Sequence, residues 1–160
     1  MASERLKIEV VDSAISFSLK KLGFLTVQGT FSGLSGTILF DEDEVENSTF
    51  EVSVSTPTID TKNDKRDEHL QGEDFFSVKY FPAITFISTS VRPENGHYLA
   101  TGKLTLLDTT KEVSIPFTLK HGVFEGDFTL KRLAYGLGKK IPSFFVGNTV
   151  KVSIHCKTQR

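Results

Sequence analysis

The alternation of apolar and polar residues with a period of two constrains the fold of this chain more than any other feature. Phe50, Val52 and Val54 are separated by polar residues, and comparable runs recur along most of the chain, from Ile8 to Cys156. Successive side chains of a β-strand point to opposite faces, so each run predicts a strand with one buried face. The pattern indicates an all-β protein with about eight strands.

Short turn sequences separate several of these runs. Pro93-Glu94-Asn95-Gly96 and His121-Gly122 allow only short connections, so the strands that flank them are expected to pair antiparallel. Strands with one apolar face bury it together, and remove their exposed edges, by closing into a barrel. We therefore predict an antiparallel β-barrel formed by a single domain that spans residues 1–160.

A glycine-rich stretch follows the first strands. The chain is expected to run extended from Leu22 to Phe31, and Gly29, Gly33 and Gly36 occur at short intervals. The stretch lacks the Lys-Ser/Thr ending of a phosphate-binding loop and lies between strands. We interpret these glycines as bends and bulges of a strongly curved sheet.

Residues 60–86 are the one stretch that is not a plain strand pattern. Asp64 is suited to cap a short helix that runs through Leu70, and Gly72 is expected to end it. Paired aromatic residues follow this helix. We predict a short helical insertion near residues 64–76 that plugs one end of the barrel, with the charged helix facing water and three phenylalanines facing the interior: Phe75, Phe76 and Phe81.

The aromatic residues of this chain favour a dry interior. It contains 14 Phe and no Trp, and a Phe side chain has no polar atom to place in water. Strand parity and the insertion together predict an apolar tunnel lined by Phe17, Leu19, Phe31, Phe40, Phe50, Val52, Val54, Phe75, Phe76, Phe81, Phe86, Leu104, Phe117, Phe128, Phe144, Phe145 and Ile154. Phe144 and Phe145 lie within residues 136–147, where three glycines and a proline predict a mobile flap rather than a strand.

The sequence leaves open whether the barrel is hollow. A barrel of about eight strands is either filled by its own side chains or holds one small ligand. Ala100, Gly102 and Gly126 are expected to face inward among large aromatic residues. Such small residues either absorb a taper of the barrel or leave room for a ligand.

Residues suited to catalysis or metal binding do not converge in this pattern. His69 follows acidic residues, but neighbours on a helix point in different directions, so we interpret this segment as a charged helix surface. Strand alternation sends His155 and Cys156 to opposite faces, and Cys156 is expected to be a small core residue. We predict no enzyme activity, no cofactor and no metal site. The chain has 19 basic and 20 acidic residues, and without a basic excess a nucleic-acid partner is not expected either.

The N-terminal sequence and the cysteine content bear on the compartment. MASERLKIEV contains no long apolar run, so it predicts neither a secretory signal nor a membrane span. A single cysteine excludes an internal disulfide. Both features fit a reducing compartment, and we expect a cytoplasmic protein. A periplasmic protein whose precursor has been trimmed is the alternative.

Several short motifs occur along the chain in a characteristic order: Gly29-x-Phe31-x-Gly33-x-x-Gly36, Phe40-Asp41, Ile59-Asp60-Thr61, Arg66-Asp67-Glu68-His69-Leu70, Asp74-Phe75-Phe76, Phe81-Pro82 and Thr85-Phe86. Their order and spacing resemble the YceI-like family of polyisoprenoid-binding proteins along nearly the whole chain. The resemblance implies a lipocalin-like barrel with an apolar tunnel that binds an isoprenoid, a quinone tail or a fatty-acid amide without catalysis. It also implies that a homodimer is one state to test, because some family members dimerise.

The chain departs from the family pattern at three polar positions. The usual Asp-x-x-His-Ser is shortened to Asp12-Ser13, a frequent His-Leu-Gly appears as Lys21-Leu22-Gly23, and a later His-Gly is replaced by Leu107-Asp108. These differences concern contacts to a polar head group and leave the barrel pattern intact.

Two functions therefore follow from the sequence. The first is a non-catalytic binding or carrier protein for a long apolar amphiphile. Burial at about 0.8 kcal/mol per CH₂ gives roughly 16 kcal/mol for ~20 carbons before ordering costs. The second is a structural or stress-response protein with a filled barrel that acts through a protein partner. The internal volume of the barrel distinguishes the two.

Overall fold

The computed structural model describes residues 4–160 and shows a protein built mainly from β-strands. One α-helix, α1, interrupts the strands, as the sequence predicts. In chain order the elements are β1 (Glu4–Ile8), β2 (Ala14–Lys21), β3 (Leu25–Phe31), β4 (Ser35–Phe40), β5 (Thr49–Ser55), α1 (Asp64–Leu70), β6 (Ala83–Glu94), β7 (His97–Leu106), β8 (Thr109–Lys120), β9 (Val123–Lys131) and β10 (Thr149–Gln159).

Eight of these strands form a closed ring. Neighbours follow the order β1-β4-β5-β6-β7-β8-β9-β10, and β10 pairs again with β1, where Ile8 lies opposite Thr158. The pairs around this ring are antiparallel. The prediction of an antiparallel barrel of about eight strands is confirmed.

Strands β2 and β3 continue two strands of the ring. β10 pairs with β2 over residues 151–155 and with β1 near its C-terminal end, so β1 and β2 act as one bent strand. β3 pairs with β2 as β4 pairs with β1, which makes β3 and β4 a second bent strand. The bends fall at the 3-10 turn Val10–Asp12 and at Gly33, whose φ of +70° favours glycine.

The insertion between β5 and β6 covers a gap beside the closed ring, between β3 and β5. β5 pairs with β4, while β3 does not pair with β5 in the described part of the chain. Residues 56–82 cross the resulting gap and are attached to β3 by a β-bridge between Thr30 and Asp60, with N···O distances of 2.9 and 3.0 Å. The helix within this segment is capped by Asn63 rather than the expected Asp64, because the Asn63 side chain accepts a hydrogen bond from the Arg66 backbone N–H at 3.0 Å.

Two ends of the barrel can be distinguished by their connections. The end that we call the mouth carries the β2–β3 turn, the insertion, the β7–β8 turn and the β9–β10 loop. The opposite end, which we call the closed end, is filled by aromatic rings whose neighbouring centroids lie 5.4–6.5 Å apart: Phe40, Phe50, Tyr98, Phe117 and Phe124. Their mainly edge-on contacts are the favourable geometry for aromatic pairs, so this end is tightly packed.

The expectation of an extended chain from Leu22 to Phe31 is confirmed for Leu25–Phe31, which forms β3, and is wrong for residues 22–24. A tight turn joins β2 to β3, and Leu22 and Gly23 have φ values of +54° and +80°. Turns with two positive φ values strongly prefer Asn and Gly, and Leu is sterically disfavoured there. The sequence does not indicate this hairpin, because its first turn residue is Leu22 and not the Asn, Asp or Gly that such turns prefer.

Candidate ligand-binding cavity

The interior of the barrel contains a cavity of about 1020 Å³ that reaches the mouth. Ligand pockets usually measure about 300–1,000 Å³, so this cavity lies at the upper end of that range. It is roughly seven times as large as an apolar cavity of ~150 Å³ that holds benzene. The barrel is therefore hollow, and its own side chains do not fill it.

Strand parity correctly places most of the predicted residues in the cavity wall. The residues of the predicted tunnel that line the cavity are Phe17, Leu19, Phe31, Phe50, Val52, Val54, Phe75, Phe76, Phe86, Leu104, Phe117, Phe128 and Ile154. Their contact with a ligand stays a prediction.

The structure corrects the positions of Phe40 and Phe81, which lie outside the wall. Phe40 faces inward as predicted, but it packs in the aromatic cluster of the closed end, beyond Phe50 and Phe117. Phe81 is half-buried at the end of the insertion, two residues before β6, where its carbonyl accepts a hydrogen bond from Thr56 Oγ1 at 2.8 Å. Parity gives the direction of a side chain, but it does not give its depth along the barrel.

Phe144 and Phe145 also lie outside the wall, and 78% and 51% of their surfaces are exposed. They belong to the β9–β10 loop, residues 132–148, which contains no named strand, as predicted. Ile141 and Val146 from the same loop line the cavity instead. The mobility of the loop stays a prediction.

Arg132, which the sequence analysis did not identify, organises this loop. Its side chain is 2% exposed, and its five N–H donors are all used by backbone carbonyls at 2.6–3.0 Å, those of Leu137, Gly138, Ile141, Val146 and Gly147. Burial lowers the pKa of the guanidinium. Every acceptor is a main-chain oxygen, so no partner residue in the sequence signals this role.

The small inward residues differ in what they do. Ala100 and Gly126 line the cavity. Gly102 and Gly126 allow neighbouring strands to approach closely, because a Cβ would lie 2.4 Å from the carbonyl oxygen of Ile87 at Gly102 and 2.8 Å from that of Pro116 at Gly126. Gly29 lies beneath the ring of Phe17, where a Cβ would be 2.4 Å from the ring. The two glycines thus serve the close approach of strands, and Ala100 is the small residue that leaves room in the wall.

The insertion and the β9–β10 loop meet over the mouth. Phe76 is buried and packs edge-on against Phe31 of β3, with ring centroids 5.2 Å apart. Phe75 lies against Gly138, where a Cβ would be 3.0 Å from the Phe75 ring. An ion pair of 3.1 Å between Lys140 and Asp74 joins the same two segments. The predicted plug is therefore half of a two-part cover.

Motif residues fix the insertion in place. The Thr61 backbone N–H donates to Asp67 Oδ1 at 2.9 Å, and Arg66 donates through Nε to Thr61 Oγ1 and through Nη2 to the Thr61 carbonyl. These bonds tie α1 to the strand-like segment that bridges β3. The Asp-Thr and Arg-Asp motifs thus have a structural role at the mouth.

Most polar residues of the wall gather at the mouth: Lys21, Asn63, Lys65, Arg66, Glu68, His69 and Arg132. The charged face of α1 therefore borders the cavity as well as water, which corrects the expectation that it faces water alone. Within residues 4–160 the Lys21 amine forms no hydrogen bond or ion pair. His69 packs edge-on against Phe75 at 5.1 Å and lies 3.9 Å from Asp74.

Cys156 is buried, as predicted, and its side chain lines the cavity. Burial raises the pKa of its thiol to about 11. Among the described residues, no group of three or more His, Cys, Asp or Glu side chains converges on a metal position. Within residues 4–160 no helix is long and apolar enough to cross a bilayer.

An eight-stranded antiparallel ring around an apolar cavity defines the class of lipocalin-like barrels. The YceI-like domain profile matches residues 6–158, and the chain therefore belongs to the YceI-like family. The motifs in the sequence correctly predicted this membership.

Protein YceI of Salmonella arizonae is 38% identical to this chain over 101 residues, which is 63% of this chain and 53% of that protein. The chain thus spans about half the length of the curated relatives that it matches. The crystal structure of BcnA from Burkholderia cenocepacia aligns with a TM-score of 0.88 at 23% identity, and the alignment covers 96% of this chain and 99% of the BcnA chain. A polyisoprenoid binding domain from Saccharophagus degradans has a TM-score of 0.71 at 12% identity, covering 96% and 97%. At these identities the two structures establish the fold alone.

Proposed function

We propose that this protein is a non-catalytic binding or carrier protein that holds one long amphiphile inside the barrel. The observation that carries the proposal is the apolar cavity of about 1020 Å³, which is packed shut at one end. By proportion with the ~150 Å³ cavity that holds benzene, it has room for about 40 carbon atoms. An isoprenoid is the first class to test, because one structural relative is described as a polyisoprenoid binding domain. A quinone tail and a fatty-acid amide are the other two.

The distribution of polar residues supports one orientation of this ligand. The closed end consists of aromatic rings, so the apolar tail lies there. The mouth carries Lys21 and Lys65, which favour a head group with an anionic or strongly accepting oxygen. Lys21 stands where the family more often has histidine, so the head-group contact is expected to differ from that of other members.

The chemistry of the wall supports binding without catalysis. The chain has one thiol, and burial raises its pKa to about 11, so Cys156 is protonated at neutral pH and is a weak nucleophile. His69 is the histidine at the cavity, and its partners are Phe75 and the distant Asp74 carboxylate. This arrangement lacks a nucleophile held and activated by a base.

The proposal is tested by blocking the cavity. Val152 lines its middle, and the neighbouring Lys151 points outward on the same strand. Val152→Trp should fold, because the cavity has room for the indole, and Lys151→Trp is the matched control. Each protein is purified, extracted with organic solvent and analysed by mass spectrometry, and binding of a fluorescent long-chain fatty acid and of an isoprenoid alcohol is titrated.

We expect the wild-type protein and Lys151→Trp to retain and bind a long amphiphile, and Val152→Trp to bind at least roughly tenfold more weakly. The class of extracted lipid identifies the ligand. If the wild-type protein carries no lipid and binds neither compound, the carrier function is wrong and the protein-partner alternative gains support. Equal binding by Val152→Trp and the control would place the ligand outside the barrel.

A further inference from the structure

Five apolar side chains project into water beside the mouth, and we call them the apolar rim: Leu22, Phe24, Leu25, Phe144 and Phe145. Their exposed fractions range from 46% to 78%. Scattered apolar residues are normal on a protein surface, but a concentration of large ones is typical of an interaction site. The rim therefore indicates an interaction surface.

The rim is one unit, although its residues come from distant parts of the chain. The Leu22 N–H donates to the Phe145 carbonyl at 2.9 Å, and the Gly147 N–H donates to the Lys20 carbonyl at 2.7 Å. These bonds hold the β2–β3 turn against the β9–β10 loop. The loop is in turn held by the buried Arg132.

The rim adjoins the opening of the cavity. Lys21 and Val146 lie within the same two segments, form a β-bridge with each other and line the cavity. A surface that covers the rim therefore also faces the opening through which a ligand passes.

The turn keeps a bulky apolar residue where sterics disfavour it. Leu22 has a φ of +54°, a region that Gly and Asn occupy far more readily. Its side chain remains 46% exposed, so packing within the barrel explains little of this choice. An apolar contact outside the protein provides a reason for leucine at this position.

The rim is surrounded by positive charge. Residues 19–27 and 131–149 contain no acidic residue, although the whole chain has a net charge of −1. These two segments contribute five lysines near the rim: Lys20, Lys21, Lys131, Lys139 and Lys140. The insertion on the other side of the mouth brings Glu68 and Asp74, and Asp74 pairs with Lys140 at 3.1 Å. The rim side of the mouth is thus basic, and the insertion side is mixed.

We propose that the apolar rim and its lysines dock the mouth of the barrel onto a lipid bilayer that contains anionic head groups. Protruding apolar tips enter the interface, and lysines beside them lie against the anionic lipids. A second copy of the chain fits less well, because a twofold contact through the rim places identical lysines opposite each other. The docking itself follows from the surface alone. Its use in passing an amphiphile between bilayer and cavity rests on the proposed function.

The docking is tested with vesicles of phosphatidylcholine alone and of phosphatidylcholine mixed with phosphatidylglycerol, by co-sedimentation of the full chain. One variant carries Phe24→Ser, Phe144→Ser and Phe145→Ser. Its matched control carries Val10→Ser, Val11→Ser and Ile87→Ser, three exposed apolar residues away from the mouth. A charge variant carries Lys20→Gln and Lys139→Gln. Val152→Trp is included because it blocks the cavity and leaves the rim intact.

We expect the wild-type protein to bind the anionic vesicles, with an affinity that falls as salt is added. The rim variant should bind the anionic vesicles roughly 100-fold more weakly or worse. The charge variant should bind them roughly 25-fold more weakly, since each lysine near an anionic surface raises the affinity about fivefold. The control and Val152→Trp should bind normally. Val152→Trp thus separates the two proposals, since loss of ligand with intact vesicle binding leaves the docking surface standing.

Three results would overturn the docking proposal. The first is a wild-type protein that binds neither kind of vesicle. The second is a control that loses as much affinity as the rim variant. The third is a wild-type dimer in sedimentation velocity that the rim variant converts to a monomer, which would assign the rim to a second copy of the chain.

Discussion

Replacing Arg132 tests whether one buried guanidinium holds the β9–β10 loop. Arg132→Met keeps a long, unbranched side chain but removes all five hydrogen bonds to backbone carbonyls. Each hydrogen bond to a charged group contributes about 1.5–3 kcal/mol. The released carbonyls regain water and the buried charge is removed, which offsets much of this sum, so the expected net loss is about 3–5 kcal/mol, the upper range for loss of a buried hydrogen-bond network. Arg132→Lys keeps the charge with three donors and should lose about half as much.

Two measurements locate this loss. Urea unfolding followed by circular dichroism gives the free energy of unfolding of the whole barrel, and hydrogen exchange with mass spectrometry gives the protection of residues 133–148. Hydrogen exchange gives a free energy of opening for the loop. If the loop opens by itself, Arg132→Met lowers this free energy of opening by more than it lowers the global free energy of unfolding. Lys131→Met is the control, because Lys131 precedes Arg132 but its amine contacts Thr149 Oγ1 at the surface. An Arg132→Met protein within about 0.5 kcal/mol of wild type, with unchanged protection of the loop, would refute the argument.

Three further predictions concern the cavity wall. Phe76→Ala should cost less than the about 3–5 kcal/mol of a fully packed Phe and should weaken ligand retention, because one face of Phe76 borders the cavity; a full loss with unchanged retention contradicts this. Cys156, with its pKa raised from 9.0 to about 11, should react with a small maleimide roughly 100-fold more slowly than a free cysteine at neutral pH. Its neutral thiol stabilises the fold below pH 9, and this contribution should be lost as the pH rises from 9 to about 11, measured by urea unfolding against Cys156→Ala.

The sequence predicted the parts of this structure that depend on the direction of side chains. Alternation placed Phe50, Val52 and Val54 on the inner face, and they line the cavity. Alternation contains no information on depth, so Phe40 was assigned to the tunnel although it packs in the closed end.

The features that the sequence did not reveal depend on the backbone. Arg132 binds main-chain carbonyls, which every sequence supplies, so its role leaves no pattern of side chains. The β2–β3 turn has Leu22 where turn preferences favour Asn or Gly, so its position was missed. Both features lie at the mouth, where the chain departs from regular strands.

The aromatic seal at the closed end has a kinetic consequence for any occupant of the barrel. A chamber with a single entrance cannot admit a new molecule behind the one already inside. Exchange then proceeds by complete departure followed by entry, so the rate of departure should not depend on the concentration of a competing amphiphile. The last part of a molecule to enter is the first to leave, so in the proposed orientation the head group leads on departure.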